Sequence, residues 1–256
     1  MRGIDVVVCA RNNELTIKQS LKRILAYASP RRLIVIDGLS HDRTVDIATD
    51  MGAEVYTDNG RGLGFARNMG LRLSKTSIVG FVDADAYVPS NWLDLCKHLK
   101  NPKVAAASAT TIYGYGNPPL QKLHEWIAKT SGEDIGFVGT VVRRKIILNA
   151  GGIREDLQAA EDWELKARLE AQGFEWVRDR RVVNLHPISM SSFLKHFRHW
   201  GRGARKSGVV SRKRALRSFV ISPIWGLRLA RAVHPIHAAY YPMMRLWFLI
   251  GYLESA

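Results

Sequence analysis

The chain is poor in cysteine and contains no long uncharged apolar segment. Its 256 residues include only Cys9 and Cys96, too few for a disulfide framework or a zinc site. The first residues lack the apolar stretch of a signal peptide. Two apolar stretches near the C-terminus, 219–233 and 237–253, are too short and too often interrupted by arginine to span a bilayer. These features are typical of a reduced, cytoplasmic protein.

Acidic residues are almost absent from the last part of the chain. Residues 187–256 contain twelve Lys and Arg but a single acid, Glu254, whereas residues 1–186 are close to neutral. Most of the net charge of +15 therefore lies in the C-terminal part. A concentrated basic surface favours an anionic partner, such as membrane lipid, nucleic acid or a phosphorylated ligand. We predict two parts, a domain over 1–187 and a basic helical tail over 188–256.

Short apolar runs alternate with helix-like segments through the first part. The runs predict strands at 4–9, 33–36, 54–56, 78–82, 104–110 and 137–142, and two short strands at 174–177 and 182–185. Helices are predicted over 15–25, 45–51, 65–73, 92–99, 120–129 and 161–172. Alternation of this kind indicates βαβ units and a mostly parallel sheet flanked by helices, an α/β fold.

Carboxylates follow two of the predicted strands, at the edge where open α/β sheets bind ligands. Asp83 and Asp85 lie one residue apart after the strand at 78–82, and alternation along a strand would point both the same way. Such a pair suits a hard divalent cation that in turn binds a diphosphate, or it belongs to a polar capping loop. Asp37 suits a nucleotide base or ribose, or a helix-capping turn.

Three further segments each allow a functional and a structural interpretation. The glycine-rich residues 60–64 form either a mobile loop, whose Arg61 and Arg67 approach phosphates, or an ordinary surface loop. Acids such as Asp162 are favoured at a helix start by the helix dipole, but an Asp there also suits a general base. His186 is either structural or part of a metal or diphosphate site.

Taken in order, these segments resemble inverting glycosyltransferases of family 2, which have the GT-A nucleotide-sugar-binding fold. The similar segments are residues 8–14, 35–44 (the family's D-D/G-G-S-x-D-x-T), 66–70 (A-R-N-x-G), 81–85 (D-x-D), and 151–155 with 161–173 (G-G-F…E-D). The resemblance covers about residues 3–186. It implies transfer of a sugar from a nucleotide donor, with UDP or GDP as the carrier, assisted by Mg²⁺ or Mn²⁺.

The resemblance also implies roles for individual residues. Asp162 corresponds to the catalytic base, and Asp85 and His186 to the metal and diphosphate site. Asp37 corresponds to a contact with the base and Asp83 to a position by the ribose or the metal. In all, we predict these nucleotide-binding positions: Ala10, Arg11, Asn13, Asp37, Arg61, Arg67, Asp83 and Ala84. Three positions depart from the family pattern, namely Arg11, Gly38 and Leu39, and they bear on the identity of the base. Because the Q-x-x-R-W motif of processive enzymes is absent, we predict transfer of a single sugar.

The pattern of apolar and basic residues in the tail indicates where the acceptor lies. Met190, Phe193, Leu194, Phe197 and Trp200 share one helical face, with basic residues projecting elsewhere. Such a helix suits an anionic membrane surface, or it packs on the domain and closes the acceptor site. We expect a peripheral enzyme on the cytoplasmic face of the membrane, acting on a polyprenyl phosphate or a lipid-linked glycan.

Two alternatives use the tail differently. In the first, the acceptor is soluble and the tail forms a homodimer interface. In the second, residues 195–217 bind nucleic acid, although no helix-turn-helix, zinc or aromatic RNA-binding motif supports this interpretation and no nucleic-acid partner is predicted.

Overall fold

Seven strands form a single sheet in the computed structural model of the chain, which describes residues 3–130 and 136–255. The strands are β1 (Asp5–Ala10), β2 (Arg32–Asp37), β3 (Glu54–Thr57), β4 (Ile78–Asp83), β5 (Val104–Tyr113), β6 (Thr140–Arg143) and β7 (Glu175–His186). Their order is β3-β2-β1-β4-β6-β5-β7, and β6 is antiparallel to both of its neighbours. The other pairings are parallel, so the predicted α/β fold with a mostly parallel sheet is confirmed.

Helices cover both faces of this sheet. They are α1 (Ile17–Ala28), α2 (Thr44–Asp50), α3 (Leu63–Leu73), α4 (Pro118–Thr130), α5 (Arg144–Asn149) and α6 (Glu161–Ala171), with a 3₁₀ helix over Trp92–Lys100. Val6 and Val8 of β1 pack with α1, α2 and the 3₁₀ helix, whereas Val7 packs with α3, α5 and α6. This split follows from the alternation of side chains along a strand.

Four predicted elements differ from the structure, and one helix was not predicted. The strand predicted over 137–142 begins at Thr140, and part of the loop before it lies outside the described residues. The two short strands predicted at 174–177 and 182–185 are one strand, β7, whose pairing with β5 shifts register after Asp179. The helix predicted over 92–99 is a 3₁₀ helix, and α5 was not predicted. In β7, the register shift interrupts the apolar pattern and so concealed the continuity of the strand.

The C-terminal part forms four helices packed together on α4. They are α7 (Met190–Ser207), α8 (Arg212–Val220), α9 (Ser222–Ala232) and α10 (His237–Glu254). Phe193 and Phe197 are buried in an apolar cluster shared with α4 and α10. Helices α7 and α10 approach so closely that a Cβ on Gly201 would lie 2.0 Å from the Phe248 carbonyl oxygen. The predicted apolar face of 190–200 is thus used inside the protein.

None of the helices in residues 3–130 and 136–255 combines the length and the apolar character needed to cross a membrane. The boundary predicted between 187 and 188 stays a prediction, because the helices after it share a core with α4 of the first part.

The interior of this helical cluster contains one histidine without hydrogen bonds. His124 on α4 is buried against the rings of Tyr113 and Phe193, at centroid distances of 5.0 and 4.9 Å. Neither of its ring nitrogens has a partner among the described residues. Burial, together with smaller effects of the nearby His186 and His237, lowers the pKa of His124 to about 3. The native protein therefore holds this imidazole neutral at pH values where an unfolded chain would protonate it.

We expect His124→Phe to remove part of the acid sensitivity of folding. Below pH 6.5 the unfolded state gains a proton at His124 that the native state excludes, so stability falls as the pH falls, by about 1.4 kcal/mol per unit. Denaturant unfolding at pH 7 and pH 5 should show the wild type losing about 2 kcal/mol more than the variant. His41→Gln, at an exposed position, is the control. Equal losses in wild type and H124F would contradict this account of His124.

Candidate active site

A cavity of about 580 Å³ lies at the carboxyl edge of the sheet. The parallel pairing aligns the last residues of β1 and β2, Ala10 and Asp37, and also those of β5 and β7, Tyr113 and His186. Nine residues that the sequence singled out line the cavity: Ala10, Arg11, Asn13, Arg67, Asp83, Ala84, Asp85, Asp162 and His186.

Two of the predicted residues, Asp37 and Arg61, are not in the wall of this cavity. Asp37 is buried, and its Oδ2 accepts the backbone N–H of Ser40 at 3.0 Å, while Oδ1 has no partner among the described residues. The Arg61 guanidinium lies 3.5 Å from the centre of the Phe65 ring and 3.2 Å from a Glu155 oxygen. The positive charge of Arg61 is therefore already paired with Glu155 at the surface of the protein.

Asp85 and His186 form an ion pair in the cavity wall. The His186 Nε2 lies 3.1 Å from Asp85 Oδ1, and the imidazole is almost fully buried against the Tyr113 ring. Burial alone would raise the pKa of the Asp85 carboxyl, but the facing histidine outweighs it and lowers that pKa. For His186, burial disfavours the protonated ring, but the Asp85 carboxylate outweighs this effect and raises the pKa of the imidazole. The pair thus favours an ionised carboxylate at the end of the sheet.

Asp83 has a different partner from Asp85. β4 ends at Asp83, so Asp85 lies in the turn that follows, and strand alternation is not what brings the two into one cavity. Asp83 Oδ1 accepts a hydrogen bond from Arg67 Nη2 at 2.8 Å. The same guanidinium also forms an ion pair with Glu161 through Nη1. Arg67 is therefore neutralised by two carboxylates and is not a free cation awaiting a phosphate.

Asp162 lies in the first turn of α6, next to Glu161. Its Oδ1 accepts the backbone N–H of Trp163 at 2.8 Å. Burial raises the pKa of the Asp162 carboxyl, and the positive charge of Arg67 only partly offsets this effect. A carboxylate with a raised pKa, in the wall of a cavity, has the properties of a general base.

The structure adds cavity residues that sequence reasoning did not assign to the site. Helix α7 contributes His196, His199 and Trp200 to the wall, so the tail helps to enclose the site. The signal in the sequence was a pair of histidines three residues apart on the helix, away from its apolar face.

Asp58, which follows β3, was also missed. Its two carboxylate oxygens accept the backbone N–H groups of Gly60 and Gly62, at 2.7 and 3.1 Å. Asp58 thereby shapes the glycine-rich loop beside the cavity. An Asp two residues before a glycine is a common turn signal and was available in the sequence.

The residues present fit a metal ion that is shared with a ligand. Within the described parts of the chain, no three His, Cys, Asp or Glu side chains are grouped so that they could hold a metal alone. Mg²⁺ and similar cations commonly bind one or two protein carboxylates and complete their coordination with substrate phosphates and water. The Asp85–His186 pair, with the Asp85 side chain 30% exposed, is such a partial ligand set.

Comparison with known proteins gives the family. Residues 5–158 match the model of glycosyl transferase family 2, more than half of the chain. The chain belongs to glycosyl transferase family 2. The resemblance stated from the motifs is thereby confirmed.

Individual proteins match over different lengths. The 4,4'-diaponeurosporenoate glycosyltransferase of Staphylococcus haemolyticus is 35% identical over 91 residues, which is 33% of this chain and 24% of that protein. The succinoglycan biosynthesis protein ExoU of Rhizobium meliloti is 26% identical over 199 residues, 66% of this chain and 57% of that protein. The chain thus spans about a quarter and just over half the length of these two relatives.

A solved structure matches almost the whole chain. The mannosyltransferase PcManGT from Pyrobaculum calidifontis, solved in complex with GDP-Man and Mn²⁺, has a TM-score of 0.72 at 18% identity. The match covers 98% of this chain and 86% of that one. At this level of identity the likeness shows the fold, which is the GT-A fold implied by the resemblance.

Proposed function

We propose that this protein transfers one sugar from a nucleotide-sugar donor to a lipid-linked acceptor, with inversion at the sugar carbon and with help from Mg²⁺ or Mn²⁺. The observation that carries the proposal is a single cavity lined both by the Asp85–His186 pair and by Asp162. The first suits a metal–diphosphate group, and the second suits the removal of a proton. Family membership supports this class of reaction.

The donor is assigned to the edge formed by β1, β2 and β4. Ala10, Arg11, Asn13 and Ala84 line this part of the cavity. Asp37, at the end of β2 and behind the cavity wall, is assigned to the base because one of its buried carboxylate oxygens has no partner among the described residues, and binding would have to open a path to that oxygen. Asp83 is assigned to the ribose. The mannosyltransferase of similar fold was solved with GDP-Man, which supports a nucleotide-sugar donor without fixing the base. Both UDP- and GDP-linked sugars are candidate donors.

Asp85 would bind the metal ion, and His186, whose Nε2 is bonded to Asp85, would hold that carboxylate in place or, once deprotonated, join it as a ligand. When bound, the cation neutralises the negative charge of the departing nucleoside diphosphate, so the leaving group needs no proton. The ion pair with His186 keeps the Asp85 carboxylate ionised and oriented toward the cavity.

Asp162 is assigned to the acceptor. The acceptor hydroxyl, or phosphate oxygen, forms a bond to the anomeric carbon while the bond from that carbon to the diphosphate oxygen breaks. A proton from an attacking hydroxyl passes to the Asp162 carboxylate, and attack opposite the leaving group inverts the carbon. The raised pKa of Asp162 suits this role, because a more basic carboxylate accepts the proton more readily.

We place the acceptor at a membrane because of the surface of the tail. Val220, Ile224 and Leu227 at the α8–α9 junction are 69%, 59% and 60% exposed, and we call them the α8–α9 ridge. Five exposed arginines lie on the same two helices: Arg212, Arg214, Arg217, Arg228 and Arg231. Exposed apolar side chains beside basic ones suit the headgroup region of an anionic bilayer. Attachment there, on the cytoplasmic face, would bring the enzyme to a polyprenyl phosphate or a lipid-linked glycan.

Asp85→Asn should weaken metal-dependent donor binding. Replacing the carboxylate removes a charged ligand, so we expect the Mn²⁺-dependent affinity for UDP or GDP to fall about 10- to 100-fold. Isothermal calorimetry with each nucleotide, with Mn²⁺ and with EDTA, measures this. Asp94→Asn, at a surface pair with Lys97, is the control. Mn²⁺-dependent affinity equal to that of the wild type would remove Asp85 from the metal site.

Asp162→Asn should preserve donor binding and reduce transfer by about 10²- to 10⁴-fold, the usual contribution of a general base. Donor hydrolysis, in which the attacking water must lose a proton, measures the loss, and transfer to a hydroxyl of a lipid-linked glycan is the second readout. In the wild type the rate should fall as the pH falls, because the base is protonated at a pH above the ordinary Asp value. Glu170→Gln on the exposed side of α6 is the control. Normal turnover by D162N would show that Asp162 is not the base.

A triple change of the ridge, V220S/I224S/L227S, should lower binding to phosphatidylglycerol vesicles at least tenfold. Wild-type binding should weaken with salt and be absent on phosphatidylcholine, because the basic residues add an electrostatic term. Co-sedimentation measures binding, and L15S/L25S/Y27S, which alters exposed apolar residues of α1 and the preceding loop, is the control. Unchanged vesicle binding by the ridge variant would contradict the assignment. A dimer lost in that variant, without vesicle binding, would instead support the soluble-acceptor alternative.

A further inference from the structure

Arg67 joins two parts of the cavity wall that are far apart in sequence. Its side chain is only 5% exposed, and its two terminal nitrogens bind different carboxylates. Nη2 donates to Asp83 Oδ1 at 2.8 Å, at the carboxyl end of β4, and Nη1 pairs with Glu161, the first residue of α6. One guanidinium thus connects the strand end assigned to the donor with the helix start that carries Asp162.

The Arg67 guanidinium also contacts an aromatic ring. Arg67 lies over the ring of Phe137, with 4.9 Å between the guanidinium carbon and the ring centre. Phe137 is buried between Phe81 and Trp176, in edge contacts at 4.9 and 5.2 Å. A planar group that lies over a buried ring and is bonded through both terminal nitrogens has little freedom to reorient.

The next residue of α3 holds the segment that leads into α6. Asn68 Oδ1 accepts the backbone N–H of Ile153 at 3.0 Å, and Asn68 Nδ2 donates to Glu155 Oε1 at 2.7 Å. In addition, the Gly64 N–H donates to the Leu157 carbonyl oxygen at 3.0 Å. Helix α3 therefore supports the chain from residue 153 to residue 161, and Arg67 is the last of these supports before Asp162.

Helix α6 has no local cap that could do the same. Its N-cap residue, Ala160, has a left-handed backbone with φ of 60° and no side-chain acceptor, and the side chain that does accept a first-turn N–H, that of Trp163, is Asp162 itself. A polar N-cap usually stabilises the first turn of a helix and fixes its direction. Here the carboxylate of Glu161 is bonded from outside the helix, by Arg67.

We infer that Arg67 is a positioning residue for sugar transfer: by binding Asp83 and Glu161 together, it fixes the first turn of α6 so that Asp162 faces the donor-binding end of β4. This inference rests on the proposed role of Asp162. It assigns the Arg and Asn of the A-R-N-x-G segment to the alignment of the two halves of the site. This role differs from the prediction that Arg67 approaches phosphates.

The test compares variants of the Arg67–Glu161 pair. Glu161→Gln removes one charge and leaves Arg67 paired with Asp83. We expect kcat to fall about 10- to 100-fold, as for other residues that orient a catalytic group, while calorimetric affinity for the nucleotide changes less than about threefold. Arg67→Lys keeps the charge but not the planar fork, so it should recover only part of the activity lost in Arg67→Gln. Lys166→Gln, from an exposed ion pair of the same helix, is the control.

Removal of one partner from a buried pair can unfold a protein, so a double variant accompanies the singles. R67Q/E161Q leaves no unpaired charge between the two positions. Its loss in kcat should be no larger than the larger single loss, because both changes remove the same interaction. Hydrogen exchange at the amides of residues 162–164 gives a readout that does not depend on turnover. It should be faster in E161Q and unchanged in K166Q.

Each other outcome overturns the inference. Wild-type kcat in E161Q would show that the pair does not position the base. A loss confined to nucleotide affinity would place Arg67 in donor binding alone. Additive losses in the double variant, or unchanged exchange at 162–164 in E161Q, would separate Arg67 from α6. Asp162→Asn separates these outcomes from a failure of the proposed function. If D162N turns over normally while amide exchange at residues 162–164 is still faster in E161Q, Arg67 does fix the first turn of α6, but Asp162 is not the base.

Discussion

The charge of Arg67 in the protein interior constrains the site more than any other single group. Taking a guanidinium out of water costs several kcal/mol unless carboxylates neutralise it. Asp83 and Glu161 provide that neutralisation from β4 and α6, so these two elements cannot move apart without exposing a buried, unpaired charge. Glu161 itself is almost fully buried, which adds to the constraint. The position of Asp162 is therefore a consequence of charge neutralisation across the cavity.

The sheet imposes the other constraint. In parallel strands the last residues meet at one edge, and here Ala10, Asp37 and Asp83 are brought together by the pairing of β1 with β2 and β4. On the far side, the register shift in β7 lets His186 pair with Tyr113 at the end of β5. The ends of strands separated by much of the chain thus enclose one cavity, and α7 adds its polar face to the wall.

The local features of this site could be predicted from sequence, whereas its long-range pairings could not. The apolar runs located most strands, and the acids after them placed Asp83 and Asp85 at the cavity. The partners of Arg67 were not predictable, because nothing near residue 67 indicates a contact with Glu161. The continuity of β7 was missed because extra residues interrupt its apolar pattern. Arg61 shows the same limit in a loop. It was predicted to approach phosphates, whereas in the structure its side chain contacts Phe65 and Glu155 at the surface.

The basic residues of the tail fall into two groups, one paired within the fold and one exposed at its surface. On α7, Arg198 and Arg202 are bonded to Glu254, the only acid of residues 187–256, and the apolar face of the helix is buried. Among the residues of the tail that the structure describes, the basic side chains without an acidic partner are mainly those of α8 and α9, beside the exposed ridge. Helix α7 packs closely on α10 at Gly201, and both share a core with α4, so the tail is a packed part of the fold. Attachment through the ridge would therefore set the orientation of the cavity relative to the bilayer, which a lipid-linked acceptor requires and a soluble acceptor does not.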